Sequence, residues 1–412
     1  MNNTYCVILR CLCCLSLFYA DARAFSDEAN SAPAKTTILE TRPFAAGVWS
    51  PPVIEVAIDD ARHLFMVDTG ASATVFDSLL RDKLGRLVET RTSHLPCSDN
   101  ARVEFFEQSS EHLPQIGSLV LKTNSPVACA ELAGASRIVG REIHGIIGVD
   151  FLSQFVVTFD FDRCQLVFQS ELERKPGRSA TMLLHPNFPS PFIFGRCEGA
   201  TPIGLMVDTG ATNSGFANET WKESLGSGTL SLRGASTTLD VSGQTCPSRW
   251  GIVDQLHIGG NTLTEVAVTE SAIAYVGIDV LSRFVMTIDF PREKLYIKQG
   301  NRFFATPRWM TAGIDFRLTD DLRRMRVIRI DDDSAAANSG LREGDELISI
   351  GGRPAPEMMS QLLRLMFESR GKSVALRVVR DGNESDIALP IIDDDLNRGI
   401  RIEPRKSGSR GR

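Results

Sequence analysis

Short apolar stretches with the period of a β-strand dominate the chain, and long helical patterns are scarce. Val53–Ile58 alternates apolar and polar positions, while Phe155–Phe161 and Phe284–Phe290 alternate or run apolar over the length of a strand. Each of the last two precedes a charged, turn-like tetrad and a further apolar run, which predicts hairpins. Ser78–Leu84 and Asn218–Leu225 are short helix candidates. The pattern therefore predicts a mainly β protein.

Two stretches of the chain are repeated later in the same order. Leu64–Thr74 reads LFMVDTGASAT, and Gly204–Ser214 reads GLMVDTGATNS. Further along, Gly148–Phe168 reads GVDFLSQFVVTFDFDRCQLVF and Gly277–Ile297 reads GIDVLSRFVMTIDFPREKLYI, with 11 of the 21 positions identical. Because this period is far too long for a solenoid, the matches indicate two homologous units of about 130 residues each.

Composition and charge narrow the class of protein. The 412 residues are 42% hydrophobic and 23% charged, which is typical of globular proteins and excludes wholesale disorder. The formal net charge of -6 offers no electrostatic basis for binding nucleic acid. No apolar run approaches the roughly 20 residues of a membrane-spanning helix, so we predict no integral membrane span in the mature chain.

Residues 1–24 are predicted to be a secretory signal peptide. The apolar stretch Cys11–Ala20 precedes Ala22-Arg23-Ala24, a small-residue pattern that is typical of a cleavage site. Residues 25–36 would then form an N-terminal linker, and the protein would be periplasmic or secreted. The alternative is an uncleaved anchor, for which this apolar stretch is short.

The cysteines bear on both disulfides and metals. Of nine in the chain, five lie beyond the predicted signal peptide: Cys97, Cys129, Cys164, Cys197 and Cys246. Because five is odd, at least one has no partner within the chain, and we expect one or two disulfides without assigning the pairs. No C-x-x-C pair or histidine cluster accompanies them, so we predict neither a metal site nor a cofactor.

The two Asp-Thr-Gly tripeptides are the candidate chemistry. One copy is weak evidence, because Asp and Gly favour turns after strands, but two copies at the same place in duplicated units favour a paired function. Each strand would deliver a carboxylate to a loop in which Gly70 or Gly210 permits a tight turn. If the units pack about a pseudo-twofold axis, Asp68 and Asp208 meet there and share one proton. One carboxyl then activates water as a general base, and the other is a general acid.

Hydroxyl residues follow both tripeptides at the same spacing. We expect Ser72 and Thr212 to donate hydrogen bonds to the carboxylates and so to orient them. The resulting pair would hydrolyse an amide without a covalent intermediate.

The repeated motif, in which apolar residues precede Asp-Thr-Gly-Ala and then Ser or Thr, resembles that of the aspartic proteases, specifically their retropepsin-like branch. Ile146-Ile147-Gly148 and Tyr275-Val276-Gly277 resemble the segment that packs behind the catalytic loop in that family. The resemblance covers Thr37–Gln299. It implies two homologous β lobes, residues 37–172 and 177–302, which form a pseudo-twofold bilobal protease in one chain, so that the dyad requires no oligomer.

The same resemblance implies roles for individual residues. Asp68 and Asp208 would be the catalytic aspartates. Thr69 and Thr209 would lock the two loops together by hydrogen bonds across the axis. Gly70, Ser72, Gly210 and Thr212 would complete the two loops that support the dyad.

Two segments between the repeated motifs are candidates for flaps over the cleft. They are Thr92–Arg102 and Leu232–Gly243, of which the second is rich in Gly, Ser and Thr. The only tyrosines beyond the predicted signal peptide are Tyr275 and Tyr296, and neither lies in a flap segment. The flap tyrosine of the pepsin-like enzymes is therefore absent from this sequence.

A third module follows the repeats. Gly340–Gly352 predicts a turn, a strand and a second turn, Glu357–Phe367 predicts a helix, and Arg380-Asp381-Gly382-Asn383 predicts a hairpin turn. Residues 308–393 resemble an α+β PDZ domain of bacterial type, which implies a peptide groove between a strand and the helix. Residues 394–412 are predicted to be a basic tail.

The resemblance to PDZ domains also implies a candidate binding loop. Gly313, Ile314, Asp315 and Phe316 match the loop whose backbone N–H groups hold a C-terminal carboxylate, so protein C-termini are the expected partners. The alternative is a folded spacer that regulates the protease lobes without capturing peptide.

Two functions remain open from the sequence. The first is an aspartic endopeptidase that cleaves peptide or protein substrates with water activated between two aspartates. The second is a catalytically inactive protein that binds peptides in the cleft and in the PDZ groove. Intact Asp-Thr-Gly-Ala motifs in both units favour the enzyme.

Overall fold

The structure is a computed structural model, and it describes residues 37–40, 50–95, 97–172, 175–185, 188–304, 313–332, 334–355 and 371–391. Strands make up most of the described chain, which confirms the prediction of a mainly β protein. The predicted signal peptide, the N-terminal linker, the basic tail and the predicted helix Glu357–Phe367 lie outside the described residues.

The described residues of the first repeat unit form twelve strands and three short helical segments. The strands are β1 (Thr37–Glu40), β2 (Val53–Ile58), β3 (Ala61–Val67), β4 (Val75–Asp77), β5 (Leu87–Leu95), β6 (Ser98–Phe106), β7 (Gln115–Ile116), β8 (Leu119–Val120), β9 (Val127–Ala130), β10 (Gly145–Ile147), β11 (Val156–Asp160) and β12 (Gln165–Gln169). The helical segments are a 3-10 helix (Ser78–Lys83), α1 (Ala133–Val139) and α2 (Val149–Leu152).

The second repeat unit follows a similar plan, with ten strands in the part of it that the structure describes. They are β13 (Arg178–His185), β14 (Phe188–Cys197), β15 (Ile203–Val207), β16 (Ser214–Ala217), β17 (Leu230–Leu239), β18 (Thr245–Ile258), β19 (Asn261–Ser271), β20 (Tyr275–Val276), β21 (Phe284–Asp289) and β22 (Lys294–Gln299). Its helices are α3 (Asn218–Gly226) and α4 (Ile278–Leu281).

The C-terminal unit has a separate sheet and a separate core. Its described elements are β23 (Ile314–Leu318), β24 (Met325–Ile330), α5 (Ala335–Asn338), β25 (Glu346–Ile350), β26 (Arg353–Pro354), β27 (Ser373–Arg380) and β28 (Asn383–Pro390). The described sheet has the order β23-β24-β25-β27-β28, with β26 paired to β25, so β23 is an edge strand. Its core includes Leu318, Met325, Leu347 and Val378.

Both repeat units place the strand before Asp-Thr-Gly beside the strand of the later repeated motif. In the first unit, β3 pairs with β10 in parallel, and Val67 faces Ile147. In the second unit, β15 pairs with β20 in parallel, and Val207 faces Val276. The two sequence repeats are therefore neighbours in space, and each tripeptide leaves the sheet at the equivalent point.

The two repeat units join through one antiparallel strand pair. Strands β11 and β21 pair with Thr158 facing Thr287, and the two hydroxyl oxygens are 2.8 Å apart. These threonines occupy equivalent positions in the sequence repeat, so the pairing is related by a local twofold axis between them. Three strands from each unit form a continuous sheet around this axis, in the order β1-β12-β11-β21-β22-β13.

A common hydrophobic core supports this junction. It takes buried side chains from both repeat units, among them Phe159 and Leu166 from the first and Ile288 and Leu295 from the second. Because the core and the sheet are both continuous, separating the units would expose apolar area and unpaired backbone groups together.

A long hairpin projects from each repeat unit. Hairpin 1 consists of β5 and β6, and hairpin 2 consists of β17 and β18. They lie in the segments that the sequence predicts as flaps. The C-terminal unit contacts hairpin 2, since the Arg329 guanidinium donates to the carbonyl of Ala235 at 2.9 Å.

No helix in the described part of the chain is both long and apolar enough to cross a membrane.

Candidate active site

Two loops meet where the repeat units face each other. Each loop begins as a strand ends, and the backbone N–H of its aspartate donates to a carbonyl of the neighbouring parallel strand. Asp68 donates to Ile147 at 3.0 Å, and Asp208 donates to Val276 at 3.0 Å. The parallel strand pairs thus fix the position at which each carboxyl group leaves its sheet.

Two threonines bind the loops to each other reciprocally. The backbone N–H of Thr69 donates to the hydroxyl of Thr209 at 3.0 Å, and the backbone N–H of Thr209 donates to the hydroxyl of Thr69 at 3.1 Å. The Thr69 hydroxyl also donates to the carbonyl of Val207, and the Thr209 hydroxyl donates to that of Val67, at 2.5 and 2.8 Å. Both threonines are fully buried, so these four bonds are shielded from water.

The carboxyl groups receive hydrogen bonds from the backbone of their own loops. Asp68 Oδ1 accepts from the N–H groups of Gly70 and Ala71 at 2.7 and 3.2 Å. Asp208 Oδ1 accepts from the N–H groups of Gly210 and Ala211, both at 2.9 Å. Each loop is therefore a small concave nest of N–H donors that favours a carboxylate.

The glycines of the two loops press against the opposite carboxyl group. A Cβ atom at Gly70 would lie 2.6 Å from Cγ of Asp208, and one at Gly210 would lie 2.3 Å from Cγ of Asp68. Both distances are shorter than nonbonded contact, so only glycine fits at these positions. The glycines thereby bring the carboxyl groups of Asp68 and Asp208 within hydrogen-bonding reach of each other.

The two carboxyl groups titrate differently. Burial raises the pKa of Asp68, but the N–H groups of Gly70 and Ala71, the carboxyl of Asp208 and the N–H of Gly210 oppose that rise. Burial raises the pKa of Asp208 well above its ordinary value, and the negative charge of Asp68 and the hydrogen bond to it raise it further. Both pKa values are therefore raised, that of Asp208 more strongly, and the buried pair holds one proton between its two carboxyl groups.

The structure contradicts the predicted role of the Ser72 hydroxyl. This hydroxyl is buried and has no hydrogen-bond partner among the described residues. Backbone N–H groups donate to Oδ1 of both carboxyl groups, and the role expected of the Thr212 hydroxyl stays a prediction. The expectation was wrong for Ser72 because the loop turns so tightly that main-chain donors reach the carboxylate first.

Hydroxyl groups two residues further along brace the loops from behind. Thr74 Oγ1 donates to Asp150 at 2.7 Å and accepts from the N–H of Gly148 at 3.2 Å. In the second unit, Ser214 Oγ donates to Asp279 at 2.7 Å and accepts from the N–H of Gly277 at 3.1 Å. The same three-residue link thus occurs twice, once behind each loop.

The sequence reasoning missed Asp150 and Asp279. The available signal was the Gly-x-Asp pattern at the start of each later repeat, which places a carboxyl two residues after the glycine in both units. Burial raises the pKa of Asp150 to about 6 and that of Asp279 to about 7, although the hydroxyls of Thr74 and Ser214 donate to them.

A disulfide joins the two hairpins. Cys97, in the turn of hairpin 1, is bonded to Cys246, near the turn of hairpin 2, with their Cα atoms 5.2 Å apart. The N–H of Cys97 also donates to Asp240 Oδ2 at 3.1 Å. The structure thus assigns one of the one or two disulfides that the sequence left unpaired, while Cys129 and Cys164, together with Cys197, are thiols.

The turn of hairpin 2 crosses to the first repeat unit. The carbonyl of Val241 accepts from the N–H groups of Gly134 and Ala135, at the start of α1, at 3.1 and 3.3 Å. The Val241 side chain packs on a buried apolar cluster of the first unit. A Cβ at Gly134 would lie 2.2 Å from the carbonyl oxygen of Asp240, so this close approach requires glycine.

The predicted carboxylate-binding loop lies at the start of β23. Gly313 has a φ of 74°, which favours glycine, and Ile314 is buried. Asp315 forms an ion pair with Arg329 at 2.9 Å, and Phe316 packs against the core of the C-terminal unit. Arg329 also pairs with Asp331, so one guanidinium serves two carboxylates. The helix expected to form the other wall of the groove lies outside the described residues.

No group of three or more His, Cys, Asp or Glu that could hold a metal ion is present among the residues with described positions. The two aspartates of the site are the charged groups on which its chemistry depends.

Comparisons with known proteins separate the C-terminal unit from the rest. A family model for the PDZ domain matches residues 312–391, so the chain ends in a PDZ domain. The crystal structure of the HtrA3 PDZ domain bound to a phage-derived ligand is similar over 19% of this chain and 80% of that chain, with 21% identity and a TM-score of 0.17.

A second solved structure is similar over a larger share of the chain. The crystal structure of the aspartic proteinase from Irpex lacteus matches 66% of this chain and 100% of that chain, with 14% identity and a TM-score of 0.41. Among curated proteins, none matches this chain in sequence.

Proposed function

We propose that this protein is an aspartic endopeptidase in which Asp68 and Asp208 hydrolyse peptide bonds. The observation that carries the proposal is the pair of carboxyl groups, each set in an equivalent loop and held within hydrogen-bonding reach of the other. A buried pair in which one carboxyl keeps a proton and the other is ionised is the arrangement that activates water for attack on an amide.

In this proposal Asp68 is the base, and Asp208, whose pKa is raised more strongly, is the acid. Ionised Asp68 takes a proton from a water molecule placed between the two groups, and the oxygen of that water bonds to the substrate carbonyl carbon. Asp208 gives its proton to the carbonyl oxygen, which forms a neutral tetrahedral intermediate. The proton on Asp68 then passes to the leaving nitrogen as the carbon–nitrogen bond breaks, and the diol returns a proton to Asp208.

The buried threonine lock gives this chemistry its rigidity. Since Thr69 and Thr209 bond to each other and to the strands before each loop, the loops move as one body. The two carboxyl groups are consequently held in position before substrate arrives, which removes a reorganisation cost at the moment of reaction.

The PDZ domain would bind the C-termini of substrate or partner proteins. Edge strand β23 offers unpaired backbone groups to which an extended peptide can add as a further strand. The predicted loop of Gly313, Ile314, Asp315 and Phe316 stands at the beginning of that strand, where the peptide carboxylate would lie. The Arg329 guanidinium lies against Asp315 and so offsets part of its repulsion of that carboxylate.

The protein would act in the periplasm or outside the cell. The predicted signal peptide, residues 1–24, and the Cys97–Cys246 disulfide support this location together, since disulfides persist in oxidising compartments.

The test is peptide cleavage by the wild type and by Asp68→Asn and Asp208→Asn. Each substitution removes the base or the acid, so we expect the rate to fall by at least about 100-fold. Asp254→Asn, a change at an exposed carboxyl far along the sequence from both loops, is the matched control and should retain the wild-type rate. Undiminished cleavage in either loop variant would reject the dyad, and peptide binding without cleavage by the wild type would favour the inactive binding protein.

A further inference from the structure

The two hairpins and the two aspartate loops form a closed ring. The chain runs from Cys97 back to Asp68, crosses to Asp208 through the reciprocal threonine bonds, and runs forward to Cys246. The disulfide between Cys97 and Cys246 closes the circuit. The ring contains one hairpin and one loop from each repeat unit, and both of its closures, the threonine bonds beside the dyad and the disulfide at the hairpin turns, join corresponding parts of the two units.

Hairpin 2 closes the same ring by a second contact. Its turn reaches the first repeat unit, where Val241 accepts hydrogen bonds from Gly134 and Ala135 and packs on apolar side chains. This docking is noncovalent, and contacts of this kind open and close on functional timescales. The disulfide is covalent and does not open without a chemical reductant. The covalent bond therefore determines whether the hairpins can separate.

We propose that the disulfide-closed hairpins determine the substrate class of this enzyme: an unfolded chain with a free end, which threads between the hairpins and the dyad. A segment held at both ends, such as a loop of a folded protein or a cyclic peptide, cannot enter a ring without opening it. This inference rests on the proposed function, because it takes the substrate to lie between the hairpins and the two aspartates.

Reduction of the disulfide would widen this substrate class. A dithiol compound transfers two electrons and two protons to the Cys97–Cys246 bond, which leaves two protein thiols and converts the dithiol to a cyclic disulfide. The hairpins are then joined only by noncovalent contacts, and segments without a free end can enter when those contacts open.

The experiment compares a linear peptide with the same sequence cyclised head to tail through a flexible linker. We expect the oxidised wild type to cleave the linear peptide and to lose cleavage of the cyclic one. Cys97→Ser should cleave both, and a dithiol should give the wild type the same behaviour. Cys164→Ser, which removes a thiol outside the disulfide, is the control and should discriminate as the wild type does.

Equal cleavage of both peptides by the oxidised wild type would overturn the inference. So would failure of both Cys97→Ser and dithiol to admit the cyclic peptide while the linear peptide is still cleaved. If no form cleaves either peptide, the proposed function fails, and the ring is then tested by binding. Both peptides are prepared with a noncleavable reduced amide, and selective binding of the linear one by the oxidised protein would support the ring, whereas equal binding would overturn it.

Discussion

The aspartate loops of the two repeat units make equivalent hydrogen bonds, whereas the hairpins that follow them differ. Both loops have the same two N–H donors, the same threonine lock and the same hydroxyl link to a buried Asp. Hairpin 2, by contrast, has a 14-residue strand and a turn that docks on the other unit. The difference teaches that the loops are constrained by a common geometry, while each hairpin adapts to its own neighbours.

Unequal titration arises within this near-symmetric frame. The N–H of Gly210 acts on Asp68 as well as on Asp208, and this additional donor favours the ionised form of Asp68. In the loops' surroundings, Tyr275 occupies the position equivalent to Ile146, and buried Arg283 the position equivalent to Gln154. The two carboxyl groups thus have equivalent backbones but different neighbours.

The largest expected effect comes from the glycines that allow the two carboxyl groups to approach each other. Gly70→Ala and Gly210→Ala each place a methyl group against the opposite aspartate, so both should reduce peptide cleavage by more than about 100-fold. Gly226→Ala adds a methyl group with no atom within 4 Å and should retain activity. Loss in only one of the two loop variants would break the equivalence of the loops.

The next effect concerns Asp150 and Asp279. Both folded-state pKa values, about 6 and about 7, lie above the ordinary value of 3.8, so ionisation opposes folding. The two groups make their full contribution to the free energy of unfolding below pH 4. That contribution is lost as the pH rises through each folded-state pKa, by on the order of 3 kcal/mol per group.

Asn substitutions measure the effect of each carboxyl group separately in a series of pH values. Asp150→Asn and Asp279→Asn keep an acceptor for the hydroxyl but cannot ionise. Each variant should match the wild type at pH 4 and unfold at a higher denaturant concentration at pH 8, with the larger gain for Asp279→Asn. Asp82→Asn, at an exposed position, should leave the pH profile unchanged. Equal stability of all the proteins at pH 8 would contradict buried ionisation.

The smallest expected effect is the loss of one side of the threonine lock. Thr69→Val and Thr209→Val each remove a buried hydroxyl that donates one hydrogen bond and accepts another, which should lower the free energy of unfolding by about 1–3 kcal/mol. Thr69→Ser and Thr209→Ser keep the hydroxyl and should retain most of the lock. Denaturant unfolding measures all four, and a clear inequality between the two valine variants would reveal an asymmetric lock.

The sequence was sufficient for the features that depend on local pattern and duplication. Alternating strands, the paired Asp-Thr-Gly loops and the approach of Asp68 to Asp208 follow from repeats that can be read directly. The PDZ domain was identified in the same way, because its turn-strand-turn segment, Gly340–Gly352, is local in sequence.

Features made by tertiary assembly were harder to predict. The disulfide joins residues 149 positions apart, and only the meeting of two hairpins makes Cys97 and Cys246 neighbours. The roles of Asp150 and Asp279 depend on hydroxyls more than 60 residues earlier in the chain. The predicted hydrogen bond from the Ser72 hydroxyl to the carboxylate was wrong, because the tight turn provides backbone N–H donors instead.

The register of the pairing between β11 and β21 also sets the spacing of the two aspartates. A slip of one residue in this pairing would displace one unit by about 3.3 Å relative to the other, which is comparable to the length of a hydrogen bond. It would also turn Thr158 and its neighbours to the opposite face of the sheet. The spacing of the dyad consequently depends on the register of a strand pair that contains neither aspartate.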